Sequence, residues 1–177
     1  MDIRLTSQDY WAGAGIAAIL SAILGIPLVI AYRNEAFKAS AVTIAFASAL
    51  FWGVLATAAI YGFWQVYYQY IFPQWTRWLA PLDALVYSTI GLGLWWIAIH
   101  LPGPSVAWFL ILGGLESLLE HIFGIYGLGI LDKVPILRGV VPFPALTFAF
   151  FEYIVYWSLV AWLSIASLKV YTYLKGG

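Results

Sequence analysis

Three glutamates and one histidine have the residue types and the spacing for proton chemistry. Glu116 and Glu120 are four residues apart, His121 follows directly, and Glu152 lies in the next apolar stretch. Residues four apart share one face of a helix, and the following residue is rotated by about 100°. Carboxyl and imidazole groups are common proton donors and acceptors in enzymes. We therefore predict that Glu116, Glu120, His121 and Glu152 act together as catalytic groups.

These glutamates have no basic partner at the same depth. All eight Lys and Arg residues lie in loops or at the ends of apolar stretches. An ionised side chain at the centre of a membrane helix costs about 2.5–3.5 kcal/mol on the insertion scale. Burial and mutual repulsion both favour the protonated form of a carboxyl group. We expect the glutamates to share protons or to bind a cation.

The lengths of the apolar stretches indicate how deep each group lies. Glu120 precedes the end of the fourth stretch by about eight to eleven residues, and Glu152 follows the start of the fifth by about eight, so both are roughly 12–16 Å deep. The chain turns back between these stretches, and Asp83 begins the third stretch on the same side. We predict a polar funnel with Glu116 deepest and with a mouth formed by Asp83, Tyr126, Tyr153 and Tyr156.

A divalent metal is a candidate cofactor for the same groups, and the cofactor is otherwise unknown. The candidate ligands are Glu116, Glu120, His121 and Glu152. Carboxylate-bridged di-iron bundles use two Glu-x-x-His motifs, whereas this chain has one histidine here and a different spacing. The absence of cysteine excludes thiolate ligands and cysteine nucleophiles.

The composition is that of a membrane protein. Hydrophobic residues make up 64% of the chain and charged residues 9%, whereas soluble domains average about 45–50% and about 25%. The net charge is zero, which gives no reason to expect a nucleic-acid partner. The expected partner is the lipid bilayer, together with a hydrophobic small molecule, partner membrane subunits or further copies of this chain.

Five stretches are long enough to cross a hydrocarbon core, which takes about 20 apolar residues. We predict a single all-α, multi-pass integral membrane domain over residues 1–177, with spans at 11–32, 39–63, 79–100, 105–131 and 144–168. Lys and Arg are divided evenly between the two sides, so the orientation in the membrane stays open. Residues 64–78, rich in Trp and Tyr, are predicted to lie at the membrane interface between the second and third spans.

These features favour a membrane-embedded enzyme that performs acid/base chemistry, with or without a metal, on an isoprenoid, quinone or lipid. In general arrangement, and without a shared motif, the glutamates and histidine of this compact bundle resemble those of membrane sterol isomerases, which move a proton on a lipid. Two alternatives remain open. One is a component of a proton- or cation-coupled transporter or channel, and the other is an accessory subunit of a respiratory or photosynthetic membrane complex.

Overall fold

The computed structural model of this chain describes residues 4–33, 40–56, 69–74 and 78–175. Those parts are helical and contain no strand, which confirms the predicted all-α fold. Their main helices are α1 (Ser7–Ala31), α2 (Ala41–Leu50), α3 (Leu79–His100), α4 (Ser105–Ile122) and α5 (Pro142–Leu174).

Four of the described helical stretches are long and apolar enough to cross a membrane. They comprise Ser7–Ala31, Pro81–His100, Ser105–Gly127 and Pro142–Leu174. The predicted second span, 39–63, begins as α2 and a π-helical turn, Phe51–Ala56. Its remainder, and most of the predicted interfacial segment 64–78, lie outside the described residues. The bounds predicted for the third span, 79–100, are those of α3.

The centre of the bundle is α5, which packs against α1, α2 and α4, while α3 packs between α2 and α4. At about 1.5 Å per residue, its 33 residues extend for about 50 Å, which is more than a hydrocarbon core requires. The middle of this helix is the core of the protein, with Tyr153, Trp157, Val160 and Ala161 nearly inaccessible to solvent. Side chains on α5 can therefore meet groups from several other helices.

Small residues form the contact between α1 and α5, which we call the α1–α5 seam. The buried face of α1 carries Ala14, Ala17, Ser21 and Gly25. Small side chains allow membrane helices to approach closely, and hydroxyl groups add hydrogen bonds between them. Ser21 Oγ donates to the carbonyl of Phe151 at 2.9 Å. The opposite face of α1 is apolar and exposed, with isoleucines at positions 16, 19, 23, 26 and 30.

Trp157 fills the space between α3 and α4 because both helices have a glycine beside it. A Cβ atom at Gly113 on α4 would lie 2.7 Å from Cγ and 2.8 Å from Nε1 of Trp157. A Cβ atom at Gly91 on α3 would lie 3.1 Å from the same indole ring. The two missing side chains bring α3 and α4 against α5, and this close packing positions the polar groups described below.

The connection between α4 and α5 is structured. After α4 the chain forms a π-helical turn, Phe123–Gly127, then a one-turn helix, Ile130–Lys133, and a 3₁₀ turn, Pro135–Leu137. The predicted end of the fourth span, residue 131, falls within the one-turn helix. The fifth span, predicted at 144–168, corresponds to the longer α5. We call residues 128–141 the cap segment.

Candidate functional site

Three oxygen atoms from three helices meet at Glu120 and form what we call the Glu120 triangle. Tyr87 on α3 donates its hydroxyl hydrogen to Glu120 Oε2 at 2.9 Å, and Tyr153 on α5 reaches the same atom at 2.8 Å. The two hydroxyl oxygens are also 2.8 Å apart, and either can be the donor. Each pair of the three oxygen atoms is thus within hydrogen-bonding distance.

Packing fixes the positions of all three side chains. Tyr153 and Tyr87 are buried, with 2% and 7% of their surfaces exposed. Trp52, from the π-helical turn after α2, stacks on Tyr87 with ring centroids 3.9 Å apart and planes 13° apart. Glu120 lies in the last turn of α4, just before the second π-helical turn. π-Helical turns inside helices are frequent at functional sites, and here one lies on each side of the triangle.

The three oxygen–oxygen contacts of the Glu120 triangle need one hydrogen more than its two hydroxyl groups supply. Each hydrogen bond needs one hydrogen, and the three short contacts call for three. With Glu120 ionised, both tyrosines can donate to Oε2, but no hydrogen then remains for the contact between Tyr87 and Tyr153. With Glu120 protonated, three hydrogens complete a closed ring. The geometry thus accommodates both the protonated and the ionised carboxyl group, with three and with two hydrogen bonds respectively.

Glu152 has different surroundings. Its Oε1 accepts a 2.5 Å hydrogen bond from the hydroxyl of Tyr156, one turn later on α5. The two carboxyl groups thus differ in their hydrogen bonding, since two tyrosines from other helices bind Glu120 and one tyrosine from its own helix binds Glu152.

Glu116 lies one turn before Glu120 on α4, and its Oε2 atom is buried without a hydrogen-bond partner. The indole N–H of Trp157 interacts with this carboxyl group. Trp157 Nε1 and Glu116 Oε2 are both buried without a hydrogen-bond partner, so these two atoms do not form a hydrogen bond with each other. A buried polar atom without a partner calls for an explanation, and a functional role is one of the established ones.

Glu120 links the predicted acids. It interacts electrostatically with Asp83, in the first turns of α3, and with both Glu116 and Glu152. Asp83 is half-buried. Of the four carboxyl groups, Glu120 is thus the one whose charge acts on each of the other three, and the funnel itself stays a prediction.

His121 is held beside the triangle. Its Nδ1 atom lies 2.9 Å from the backbone carbonyl of Ser117 and 3.4 Å from the Ser117 hydroxyl. A carbonyl can only accept, so Nδ1 carries a hydrogen, and in the neutral imidazole Nε2 is then the acceptor. The imidazole meets the Tyr153 ring edge to face, with centroids 5.7 Å apart. His121 can therefore accept a proton next to the triangle.

The sequence prediction did not include every group at Glu120. Tyr126, predicted at the mouth, is 69% exposed on the π-helical turn after α4, and its place at the mouth stays a prediction. Tyr87, which sequence reasoning missed, binds Glu120 directly. Its position was readable in principle, because Tyr87 is four residues after Asp83 and so shares its helix face. Tyrosines are also abundant at membrane interfaces, so the sequence did not distinguish Tyr87 from the other tyrosines among the twelve in the chain.

The predicted metal ligands are not gathered around one point. Among the described residues, no three His, Asp or Glu side chains form a group that could hold a metal ion. Glu120 and Glu152 instead take their hydrogen bonds from tyrosine hydroxyls.

Comparison with known proteins found no relative of this chain. No protein-family model, curated protein or solved structure matches the chain. Function is therefore inferred from the site alone.

Proposed function

We propose that this chain is a multi-pass membrane enzyme that moves a proton on a hydrophobic substrate, such as an isoprenoid, a quinone or another lipid. Glu120 donates the proton and Glu152 accepts one. The observation that supports this assignment is the contrast between the closed ring at Glu120 and the single short bond from Tyr156 to Glu152. Pairs of carboxyl groups with such different surroundings are the usual acid and base of one reaction.

The proposed reaction is the shift of a carbon–carbon double bond. Glu120 transfers its proton to one alkene carbon, and Glu152 removes a proton from a carbon next to the cation so formed. One C–H bond forms, one breaks, and no oxidant or reductant is needed. Once Glu120 is ionised, the hydroxyl hydrogens of Tyr87 and Tyr153 can both turn toward it, so the two tyrosines stabilise the carboxylate. Proton exchange with Glu152 and water, through Asp83 and His121, returns the site to its starting state.

The side chains around the acids favour a neutral, apolar substrate. Phe51, Trp52 and Tyr156 contact one another next to the triangle, with ring centroids 5.2–5.4 Å apart. The Lys and Arg side chains in the described part of the chain are all exposed. A buried phosphate or carboxylate would have no cation to pair with in that part, and its desolvation would be costly.

Deuterium incorporation tests this proposal even while the substrate is unidentified. The purified protein is placed in vesicles made from an extract of membrane lipids, isoprenoids and quinones, and is transferred to D₂O. Mass spectrometry then identifies each lipid that gains carbon-bound deuterium. We expect the wild type to label one lipid class, and we expect Glu120→Gln to reduce the rate by about 10²–10⁴-fold, the usual contribution of a general acid or base.

The control is Asp132→Asn, which removes an exposed acid outside the site and should leave the rate unchanged. Glu152→Gln should behave as Glu120→Gln does. Equal labelling by the wild type and both glutamine variants would refute the assignment. An absence of labelled lipids with the wild type would count against the enzyme and favour the next candidate.

The second candidate is a proton relay in a transporter or channel. The observation that favours it is that Glu120 acts electrostatically on Asp83, in the first turns of α3, and on Glu116, one turn before it on α4. A relay predicts that an imposed pH gradient drives proton flux into liposomes, recorded with a trapped pH-sensitive dye, and that Glu120→Gln stops the flux. Flux equal to that of protein-free liposomes would exclude this candidate.

A further inference from the structure

The cap segment, residues 128–141, forms a second apolar core at one end of the bundle. Its buried side chains pack with Ile125 and Ala145, from the two ends that it joins. Val134 and Leu137 are almost completely buried within this core. Leu5 and Tyr10 from the start of α1 and Ile71 pack against it. The segment therefore covers the end of the bundle where α1 and α5 begin and the fourth membrane-length stretch ends.

Few polar contacts hold the cap segment to the rest of the protein. The backbone N–H of Leu5 donates to the carbonyl of Ile136 at 2.9 Å, and the N–H of Val141 donates to Ser7 Oγ at 3.1 Å. Arg138 Nε donates to the carbonyl of Asp132, which is a bond within the segment itself. The contacts outward are thus mostly apolar.

A glycine with positive φ lies near each end of the cap segment. Gly129 has φ of 68° and Gly139 has φ of 93°. L-amino acids rarely adopt these backbone angles, whereas glycine passes readily between negative and positive φ. A Cβ atom at Gly139 would meet nothing within 4 Å, so packing does not explain the glycine. Its backbone conformation explains the glycine, because glycine can pass between positive and negative φ, as a hinge requires.

Tyr10 connects the cap segment to the carboxyl groups. It packs against the core of the segment, and its ring also meets that of Phe148, one turn before Glu152 on α5, with centroids 5.7 Å apart. The π-helical turn at residues 123–127 connects the segment to the turn of α4 that carries Glu120 and His121. A movement of the segment would therefore change the surroundings of both acids of the proposed pair.

We infer that residues 128–141 are a hinged cap that controls the access of water to Glu120 and Glu152 from this end of the bundle. In the closed position the cap limits the entry of water to the half-buried acids from this end, and opening at Gly129 and Gly139 exposes them further for proton exchange. The inference concerns access, so it stands apart from the reaction that the acids perform.

A disulfide lock tests the cap directly, because the chain contains no other cysteine. The substitutions Leu5→Cys and Ile136→Cys join two residues whose backbones already share a hydrogen bond, and a disulfide spans Cα atoms about 4.4–6.8 Å apart. A water-soluble carbodiimide with an amine nucleophile labels the carboxyl groups, and peptide mass spectrometry measures each rate. We expect labelling of Glu120 and Glu152 to slow at least tenfold in the oxidised protein and to recover after reduction.

Asp132 is exposed and serves as the internal control, since its labelling should not change. The two single-cysteine variants, treated with the same oxidant, control for oxidation. Equal labelling of Glu120 and Glu152 in the locked and reduced proteins would overturn the inference, and so would the complete absence of labelling in the wild type.

A second pair of variants covers the case in which the double-cysteine protein does not fold. Gly139→Ala strains the closed cap, so labelling of Glu120 and Glu152 should become several-fold faster. Gly103→Ala is the matched control, because Gly103 has φ of 90°, also has nothing within 4 Å, and lies in the turn between α3 and α4. Equal rates in Gly139→Ala and Gly103→Ala would contradict a hinged cap.

Discussion

The α1–α5 seam and the Glu120 triangle are both contacts between helices, but they are formed by different types of side chain. The seam uses small and apolar side chains, with one hydroxyl bond from Ser21. The triangle buries a carboxyl group and two phenol groups where three helices meet. Packing of small residues stabilises helix pairs in a membrane, whereas intramembrane acids are expensive and mark functional sites.

This difference separates the residues that fold the protein from those that perform its chemistry. The seam can hold α1 on α5 without the polar groups, and α3, α4 and α5 could pack around an apolar side chain in place of Glu120. The polar cluster is therefore retained at a cost in stability. Substitutions in the seam should change stability alone, whereas substitutions at the triangle should change activity by more than their effect on stability accounts for.

The largest expected effect on stability comes from replacing a glycine by alanine. Gly113, which packs on Trp157 beside the triangle, is compared with Gly25 in the seam. Gly113→Ala places a Cβ atom against the rigid indole of Trp157, at distances below 3 Å, so we expect a loss of about 1–3 kcal/mol. Gly25→Ala, in the seam, meets the end of a flexible leucine, Leu110, at 3.1 Å. That side chain can move, and alanine is a better helix former by about 1 kcal/mol, so the change should be close to neutral.

Unfolding by sodium dodecyl sulfate in mixed micelles measures both free energies. Gly93→Ala gives the baseline for helix propensity, because a Cβ atom there meets nothing within 4 Å. A Gly113→Ala variant as stable as Gly93→Ala would mean that Trp157 can shift, and that the close packing beside the site is softer than the geometry implies.

Sequence reasoning located the helices well because hydropathy, length and proline determine them. The end of α3 at His100 was predicted from the Pro-Gly-Pro turn at residues 102–104. The fifth span was predicted to end at 168, whereas the helix α5 is longer, because a membrane limits the apolar length of a span and not the length of the helix. Lys169 and the tyrosines after it continue the helix to Leu174.

The site was predictable only in part. The acids stood out because ionisable residues are rare in apolar stretches, so Glu116, Glu120 and Glu152 could be grouped from their depths. The partnership of Tyr87 with Glu120 depends on how α3 is rotated about its axis, which hydropathy does not encode.

A double-mutant cycle on the tyrosines tests whether the triangle acts as one unit. Tyr87→Phe and Tyr153→Phe each remove one hydroxyl group, and each should lower the free energy of unfolding by about 1 kcal/mol. Because the two hydroxyls also bind each other, the double variant should lose less than the sum, with a coupling of at least about 0.5 kcal/mol. Tyr171→Phe, at an exposed position, is the control. Strict additivity would mean that the ring of three bonds does not form.

The smallest expected effect comes from removing one hydrogen bond between helices, either in the α1–α5 seam or beside the Glu120 triangle. Ser21 Oγ donates to the Phe151 carbonyl at 2.9 Å, and Ser117 Oγ donates to the Ala149 carbonyl at 3.0 Å. Similar bonds between helices contribute about 0.6 kcal/mol, so Ser21→Ala and Ser117→Ala should lose equal stability in mixed micelles.

Only the second bond lies next to the site, because Ser117 Oγ is 3.4 Å from Nδ1 of His121. The main partner of Nδ1 is the Ser117 backbone carbonyl, which the substitution leaves in place. We therefore expect Ser117→Ala to slow deuterium incorporation about twofold, equivalent to about 0.4 kcal/mol, and Ser21→Ala to leave the rate per folded molecule unchanged. If Ser21→Ala slowed the reaction as much as Ser117→Ala, the division between a structural seam and a chemical site would fail, since the seam would then also position the acids.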